Sequence, residues 1–430
     1  MKLTKLFLAM LACMVVCLCS CKDDSPAEPV EYTLNISNDG KGTATATVDG
    51  VEVTTVEEGV TVTLTATATP PYKFKQWTIE SGEITLSGAT DNPATFIMPS
   101  GVVSINAEFY APGEEYGLEM ARIPAGTFLM GSPASEPDRT SWETQHQVTL
   151  TKSFWMSKYE ITNAQYADFL NTKGIKGTEN CKAPYFMGGD LRMTAAICKE
   201  GENKGKMLAY DAPTSGFYGD SNYGLNWDKS AGKWKPAPGC DKYPVTWVTW
   251  FGAVEYAKWI GGAIPTEAQW EYACRGGQTE SLPFGIGDGS KLIGGMAYFD
   301  CVYPYDMNHT PKAGSYVDED EENYEKNYKG HPVEVGSYPY PNGYGLYDMH
   351  GNVNEWCLDL FSGTHPDYDS EPVTDPTGPT EPWAYGVIRV LRGGYYTTES
   401  NWCRTATRYY DYEDAADNHH GFRVIIYEEQ

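Results

Sequence analysis

The chain has 430 residues, more than one ordinary hydrophobic core holds, so two or three domains are expected. Its formal net charge of −26 excludes nucleic acid as a favoured partner and would repel an anionic membrane surface. Aromatic residues make up 13% of the chain, and its 44 glycines and 27 prolines indicate a globular protein rich in turns and irregular structure.

The first residues resemble a bacterial lipoprotein signal. Two lysines precede an apolar run from Leu6 to Leu18, which is too short to predict a membrane-spanning helix, and LCSC closes it at 18–21. The resemblance implies that residues 1–20 are removed as a signal peptide and that Cys21 is lipidated. The next residues, KDD, are similar to the tag of Bacteroidetes surface lipoproteins, so an outer membrane lipoprotein facing the cell exterior is expected. An ordinary secretory signal cut elsewhere is the alternative.

Residues 21–30 read as a polar tether and residues 31–111 as a small β-rich domain. The run from Val60 to Ala66 alternates strictly between apolar and polar residues, and Gly, Asn, Asp and Pro clusters separate such runs. The sequences FKQW at 74–77 and ATFIMP at 94–99 resemble the divergent internalin-type bacterial surface repeat. That resemblance implies a spacer between the membrane and the next domain, with adhesion by the repeat itself as the alternative.

A cluster of breaker residues, APGEE at 111–115, predicts the domain boundary. Beyond it the pattern is irregular, with two well-defined helices. One is introduced by Thr162, and the other starts at Thr266, where Gln269 has the spacing of a capping box. A third helix is predicted over 250–260.

Six sequence blocks then occur in a fixed order. They are RIPAGTFLMGS at 122–132, KYEITN at 158–163, PTEAQWEY at 265–272, GYGLYDMHGNVNEW at 343–356, RGG at 392–394 and GFR at 421–423. Together they resemble the formylglycine-generating enzyme (sulfatase-modifying factor) family across residues 118–430. The resemblance implies an α+β fold, an irregular C-type lectin-like domain of the formylglycine-generating enzyme type. Membership in such a family does not determine activity.

The resemblance also implies a structural calcium site. In the family, positions matching Asp348 and Glu355 bind calcium through side chains, and positions matching Gly351 and Val353 bind through carbonyls. Two carboxylates and backbone oxygens from one tight loop suit this hard cation. The alternative is that Asp348 and Glu355 only cap turns beside Trp356.

The catalytic signature of the family is incomplete. The enzymes bind copper(I) with two cysteines a few residues beyond RGG, because soft thiolates suit that ion. Counted forward from Gly394, Thr398 stands at the first cysteine position and Cys403 at the second. One thiol cannot form the pair, so no copper is expected and no residue is predicted to be catalytic. Cys403 becomes the candidate only under the alternative of a copper-dependent formylglycine-generating, sulfatase-activating oxidase.

The segment between RGG and GFR has the composition of a recognition surface. Tyr, Thr, Ser, Asn, Asp and His fill 17 of the 26 positions from 395 to 420, and such residues offer amphipathic area and adaptable hydrogen bonds. The segment resembles the variable region of proteins diversified by retroelements, which have this lectin-like fold and mutate the segment at adenines. WCR at 402–404, Ala406 and Arg408 match a fixed frame.

That second resemblance implies an extracellular protein or glycan ligand. The predicted ligand-binding residues are Tyr395, Tyr396, Thr398, Asn401, Thr405, Thr407, Tyr409, Tyr410, Asp411, Tyr412, Asn418, His419 and His420. A diverged surface loop with no retroelement behind it, and a structural subunit of a surface assembly, are the alternatives.

Overall fold

The computed structural model describes residues 29–184, 192–212, 223–301, 304–307, 329–362 and 371–428. The predicted signal peptide, Cys21 and most of the tether lie outside these ranges. Among the helices that are described, none has the length and apolarity needed to cross a membrane.

The first compact unit is built from short strands whose burial alternates residue by residue. In the strand Thr61–Ala68 the residues Val62, Leu64 and Ala66 are buried while the intervening threonines face outward. This is the period of two expected for a sheet with one buried face. The strands form two four-stranded sheets, ordered β4-β1-β8-β6 and β3-β2-β5-β7. Their bounds are β1 Glu31–Asn38, β2 Gly42–Val48, β3 Val51–Glu52, β4 Thr55–Glu57, β5 Thr61–Ala68, β6 Lys73–Ser81, β7 Ala94–Ile97 and β8 Val103–Tyr110.

The second unit, which contains residues 108–430, combines three helices with many short strands. The helices are α1 Asn163–Thr172, α2 Trp250–Trp259 and α3 Glu267–Cys274. The strands are β9 Met120–Ile123, β10 Gly126–Met130, β11 His146–Leu150, β12 Phe154–Ser157, β13 Gly177–Lys182, β14 Arg192–Ile197, β15 Met207–Tyr210, β16 Leu225–Asp228, β17 Lys233–Pro236, β18 Lys291–Leu292, β19 Tyr305–Asp306, β20 Asn354–Leu360, β21 Val373–Thr374, β22 Ile388–Arg392, β23 Tyr409–Tyr412, β24 His420–Gly421 and β25 Ile425–Tyr427.

The helix starts confirm the capping signals read from the sequence. Thr162 caps α1 and Thr266 caps α3, and each makes a reciprocal capping box with a glutamine three residues later. Such boxes satisfy two backbone N–H groups that the helix cannot pair internally. The third helix is also present, capped by the Thr249 side chain, which accepts from the Gly252 N–H.

We call residues 392–423 the C-terminal segment; it begins in the strand β22 and ends between the strands β24 and β25. Strand β22 pairs antiparallel with β20 and β23, and β20 pairs in parallel with β24, in the sheet order β23-β22-β20-β24. Strand β25 pairs with β12 in a second sheet. Trp356 of β20 is fully buried, and its indole N–H donates to the Val248 carbonyl at 3.0 Å. The ends of the segment are therefore anchored in the core, and β23 lies at a sheet edge.

Candidate functional site

Four buried arginines hold the C-terminal segment in place. They are spread along it: Arg392 ends β22, Arg404 and Arg408 lie in the middle, and Arg423 precedes β25. All four are paired with glutamates from distant parts of the chain. Pairing is needed because a buried guanidinium without a counter-charge is very costly.

Arg392 joins strand β22 to the helix α3 and to the middle of the segment. Its Nε lies 3.1 Å from a Glu267 carboxylate oxygen, and one of its NH groups is ion-paired with Glu271. The remaining NH group donates to the carbonyls of Thr405 and Thr407 at 2.8 and 2.7 Å. The backbone at 405–407 is thus positioned by a residue of the core sheet.

The two arginines in the middle of the segment make further ion pairs. Arg404 lies 2.5 Å from Glu136 and donates twice to Glu143, both bonds at 2.8 Å. Arg408 donates to both oxygens of Glu267, at 2.6 and 2.8 Å. Burial opposes ionisation of Glu143, but the hydrogen bonds from Arg404 outweigh it and lower the pKa of that carboxyl. The charged form of the pair is therefore the stable one.

Arg423 fixes the far end of the segment through a bidentate pair. Its Nε and one NH group donate to the two oxygens of Glu355 at 2.6 and 2.7 Å. The indole N–H of Trp270 donates to the same carboxylate at 2.6 Å. Such parallel donation fixes orientation as well as charge.

Five of the thirteen predicted ligand-binding residues are buried in the structure. They are Tyr396, Thr398, Thr405, Thr407 and His420. Thr405 donates its N–H to the Pro283 carbonyl at 2.7 Å, and Tyr396 packs beside Tyr298 and Val333. These side chains support the segment and do not offer contact area to a macromolecular ligand. Composition alone cannot separate a buried threonine from an exposed one.

Tyr409 and Tyr410 contact different aromatic residues on opposite faces of the edge strand β23, because successive side chains of a strand alternate. Tyr410 points to one face, is 39% exposed and stacks on Phe361 with ring centroids 4.3 Å apart. We call Trp142, Phe361, Trp383, Tyr385 and Tyr410 the Tyr410 patch.

The opposite face of β23 carries the Tyr395 patch, which we define as Tyr395, Trp402, Tyr409 and His419. The Tyr395 ring stacks on the His419 imidazole at 4.0 Å, and Tyr409 lies 6.2 Å from Tyr395 and 5.9 Å from Trp402. Trp402 is 42% exposed, although the sequence pattern had placed it in the fixed frame. Of the remaining predicted residues, Asn401, Asp411, Tyr412 and Asn418 are half-buried.

Sequence reasoning missed the residues that complete the Tyr410 patch. Trp383 lies 4.9 Å from Tyr385, whose ring is 71% exposed, and both precede the RGG block. The sequence signal was two aromatic residues in a Pro- and Gly-rich loop, PWAYG at 382–386. Nothing in the local pattern shows that this loop lies beside Tyr410.

Acidic and histidine side chains surround the Tyr395 patch. Burial, together with the nearby Asp417, raises the pKa of Asp411 to about 6. Burial lowers the pKa of His420 to about 3, so this imidazole is neutral at physiological pH. Burial opposes ionisation of Asp417, but a hydrogen bond from His419 lowers the pKa of that carboxyl. The patch therefore presents aromatic area beside carboxylates, which accept hydrogen bonds from hydroxyl or amine groups.

The Cys403 thiol, although it belongs to the segment, is fully buried. Its neighbours are the Thr398 hydroxyl at 3.4 Å and the Glu399 carbonyl at 3.7 Å, and burial raises the pKa of the thiol to about 12. Gly394 has φ 75°, and a Cβ there would lie 2.6 Å from the sulfur, so the RGG turn requires glycine. Cys301 belongs to the same apolar cluster as Cys403. All seven cysteines in the described part of the chain are free thiols.

The residues predicted to bind calcium lie in one turn but differ in their partners. Both Glu355 oxygens are already bonded to Arg423, whereas Asp348 accepts the Gly336 N–H at 2.6 Å. Burial raises the pKa of Asp348 to about 6. Gly351 and Val353 lie between them in the sequence, and Val353 is buried.

No sequence pattern singles out Glu160, which lies beside Asp348. Burial raises its pKa well above the usual range, and one of its oxygens is buried without a hydrogen-bond partner. The other accepts from the Asn352 amide at 3.1 Å. Glu160, Asp348 and Glu355 bring three carboxyl groups to one arginine, Arg423, so the cluster has an excess of acid that suits a cation. Even so, within the described ranges no three His, Cys, Asp or Glu side chains are arranged closely enough to hold a metal ion.

Comparison with known proteins identifies the second unit. The sulfatase-modifying factor enzyme 1-like domain family matches residues 108–427. The chain belongs to this family. The divergent InlB B-repeat domain family matches residues 32–112, in agreement with the resemblance of the N-terminal strands. The expected α+β fold of the formylglycine-generating enzyme, C-type lectin-like type is thereby confirmed.

Relatives in the sulfatase-modifying factor family have different names. The chain is 31% identical over 307 residues to a formylglycine-generating enzyme of Streptomyces coelicolor, covering 70% of this chain and 87% of that protein. It is 30% identical to the formylglycine-generating enzyme of Mus musculus, covering 74% and 78%. It is also 34% identical to the serine/threonine-protein kinase pkn1 of Chlamydia pneumoniae, covering 71% of this chain and 37% of that one.

Two solved structures are similar to the chain at lower identity. PvdO from Pseudomonas aeruginosa is 22% identical with a TM-score of 0.47, covering 73% of this chain and 95% of PvdO. Treponema denticola variable protein 1 is 18% identical with a TM-score of 0.43, covering 83% and 99%.

We predict that Arg404→Met destabilises this sulfatase-modifying factor domain by about 3–5 kcal/mol, because it leaves Glu136 and Glu143 buried without their counter-charge. Arg122→Met is the matched control: it removes an exposed pair with Glu428 and is expected to cost less than about 1 kcal/mol. Urea unfolding followed by tryptophan fluorescence measures both. Equal losses in the two variants would contradict the supporting role of Arg404.

Proposed function

We propose that the protein is an outer membrane lipoprotein, anchored through lipid on Cys21, whose lectin-like domain binds an extracellular protein or glycan through residues 395–420. One observation carries the proposal. Both arginines of that segment are buried and ion-paired, while the side chains of Trp402 and Tyr410 are exposed at the surface. The net charge of −26 argues against nucleic acid as the ligand.

The residues that hold the segment in place are different from the residues at its surface, and this difference supports a recognition role. Arg392, Arg404, Arg408 and Arg423 pair with glutamates outside the segment, so none of these pairs depends on which residue stands at Tyr395, Tyr410 or Asn418. Substitutions at such surface positions usually change stability by only about 0.5 kcal/mol. The segment can therefore change its contacts without losing its shape, which is what diversification by a retroelement would require.

The chemistry of the two patches suits an amphipathic ligand. Exposed Tyr and Trp side chains dominate binding energy in many interfaces because they bury large areas with few rotatable bonds. Trp402 and Tyr410 supply such area on opposite sides of β23, and the half-buried Asp411 supplies an acceptor on the side of Trp402. Aromatic faces combined with carboxylates serve a sugar as well as a protein loop.

The binding proposal is tested by screening the mature protein against a glycan array and a panel of extracellular proteins. For the ligand found, we predict that Trp402→Ala or Tyr410→Ala weakens binding at least tenfold, about 1.4 kcal/mol, because each removes an exposed aromatic contact. Tyr340→Ala is the matched control, since Tyr340 is an exposed aromatic residue outside the segment. Unchanged binding in both patch variants, or an equal loss in the control, would refute the proposal.

Calcium is part of the proposed scaffold. The buried Glu160 oxygen without a partner, and three carboxyl groups against one arginine, favour a divalent cation next to Asp348. Asp348, Glu160, Glu355 and the carbonyls of Gly351 and Val353 would hold it, and the ion would offset the charge that burial otherwise penalises.

We therefore predict that calcium raises the melting temperature of the protein and that EDTA reverses the rise. A ligand at a hundred times its Kd stabilises the folded state by about 2.7 kcal/mol. Asp348→Asn should abolish the calcium effect, whereas Asp288→Asn, which changes an exposed carboxylate elsewhere, should retain it. Identical melting curves with calcium and with EDTA would disprove the site.

A second candidate function is a copper-dependent oxidase that activates sulfatases. Two observations favour it: relatives named formylglycine-generating enzymes span most of the chain's second unit, and Cys301 shares an apolar cluster with Cys403. Against it, Thr398 stands at the first family cysteine position and contacts the one remaining thiol. Copper(I) prefers two soft sulfur ligands, and Cys301 is not at the position that the enzymes use.

The two functions differ in a direct measurement. Under the binding proposal, the protein titrated with copper(I) does not convert the cysteine of a sulfatase peptide to formylglycine, as followed by mass spectrometry. Conversion that disappears in Cys403→Ser, with Cys274→Ser as the buried-thiol control, would establish the oxidase instead. Loss in Cys301→Ser as well would identify the second sulfur ligand.

A further inference from the structure

The described part of the second unit contains a cavity of about 480 Å³. It lies between the end of β13, strand β15, helix α2 and the residues that follow β23. Its size is within the range of about 300–1,000 Å³ found for small-molecule pockets. No residue of the predicted calcium site and no part of the Tyr395 patch lines it.

The walls of this cavity are aromatic and well fixed. Phe251 of α2 and Tyr210 of β15 are both buried, and the Tyr210 hydroxyl donates to the Met207 sulfur at 2.6 Å. Burial raises the pKa of Tyr210, with Asp414 adding to the effect, so its hydroxyl stays neutral. Tyr412, the last residue of β23, forms a further wall. Rings held in this way offer flat apolar area with little motion to lose on binding.

Two lysines at the cavity give it a positive charge that is unusual for this chain. The Lys206 ammonium lies 4.4 Å from the centre of the Phe251 ring, a cation–π contact that holds the charge at one place. Lys182 also lines the cavity. Among the described residues that line the cavity, Asp414 is the one acid. In a chain with 58 acidic and 32 basic residues, such an excess of cations marks a place for an anion.

We propose that this cavity binds a small carboxylated sugar of the hexuronic acid type. The carboxylate would lie near Lys182 and Lys206, the sugar ring would pack against Tyr412, and the exposed Asp414 would accept hydrogen bonds from hydroxyl groups. An aromatic acid without hydroxyl groups would leave Asp414 without a hydrogen-bond partner, whereas the hydroxyl groups of a sugar can donate to it. The cavity is distinct from the surface proposed for the macromolecular ligand, although Tyr412, Asp414 and Ala415 belong to residues 395–420 as well.

The test uses glucuronate, with glucose as the uncharged match, titrated into the full chain by ligand-observed NMR and calorimetry. We predict that glucuronate binds at least tenfold more tightly than glucose and that added salt weakens it, because the attraction of exposed lysines is screened. Lys206→Met and Lys182→Met should each weaken glucuronate at least fivefold. Lys233→Met, an exposed lysine on β17, is the matched control and should leave affinity unchanged.

Three results would overturn the proposal: equal affinity for glucose and glucuronate, the same loss in Lys233→Met as in Lys206→Met, or tighter binding of benzoate than of glucuronate. The lysines are at the surface, so these variants are expected to fold, and melting curves check this. Tyr410→Ala should not affect glucuronate binding. Failure of the recognition proposal and failure of this one are therefore distinguishable.

Discussion

The organisation of the second unit depends on buried arginine–glutamate pairs. Four arginines of the C-terminal segment pair with glutamates elsewhere in the chain: Arg392, Arg404, Arg408 and Arg423. Pairs of this kind recover only part of the cost of removing both ions from water, so their effect is chiefly geometric. Because each buried guanidinium has to lie within hydrogen-bond distance of one carboxylate, the ion pair fixes the position of the backbone that carries the arginine. The irregular stretch from 393 to 408, between β22 and β23, is held by the pairs of Arg392, Arg404 and Arg408.

This arrangement separates the shape of the segment from its surface chemistry. The exposed rings beside β23 pack against the backbone that these arginines hold, but the rings take no part in the ion pairs. The same region contains the buried Cys403, which contacts Gly394 and Thr398. The resemblance to formylglycine-generating enzymes implies a pair of cysteines in this region of those enzymes. The buried thiol with its raised pKa and the aromatic surface above it are the physical basis for proposing recognition ahead of oxidation.

Much of the fold could be predicted from particular residues. The capping boxes at Thr162 and Thr266 are local, so their helix starts follow from side chains three residues apart. The alternation of buried and exposed residues along the strands of the first unit is also a local pattern, because each sheet buries one of its two faces. The site was harder to predict. Thr405 and Thr407 read as surface residues, but both are buried: the Thr405 hydroxyl lies 3.8 Å from the Cys274 sulfur, and the Thr407 hydroxyl donates to the Asn401 carbonyl at 3.3 Å.

The sequence by itself determined the family, the two types of domain and the segment between RGG and GFR, because these are properties of local pattern and of order along the chain. Only the tertiary structure decided which side chains of that segment are exposed, that Trp383 and Tyr385 extend its surface, and that Glu160 lies next to Asp348. The reason is that burial and pairing arise between residues up to hundreds of positions apart. Arg404 and Glu136, 268 residues apart, meet through folding alone.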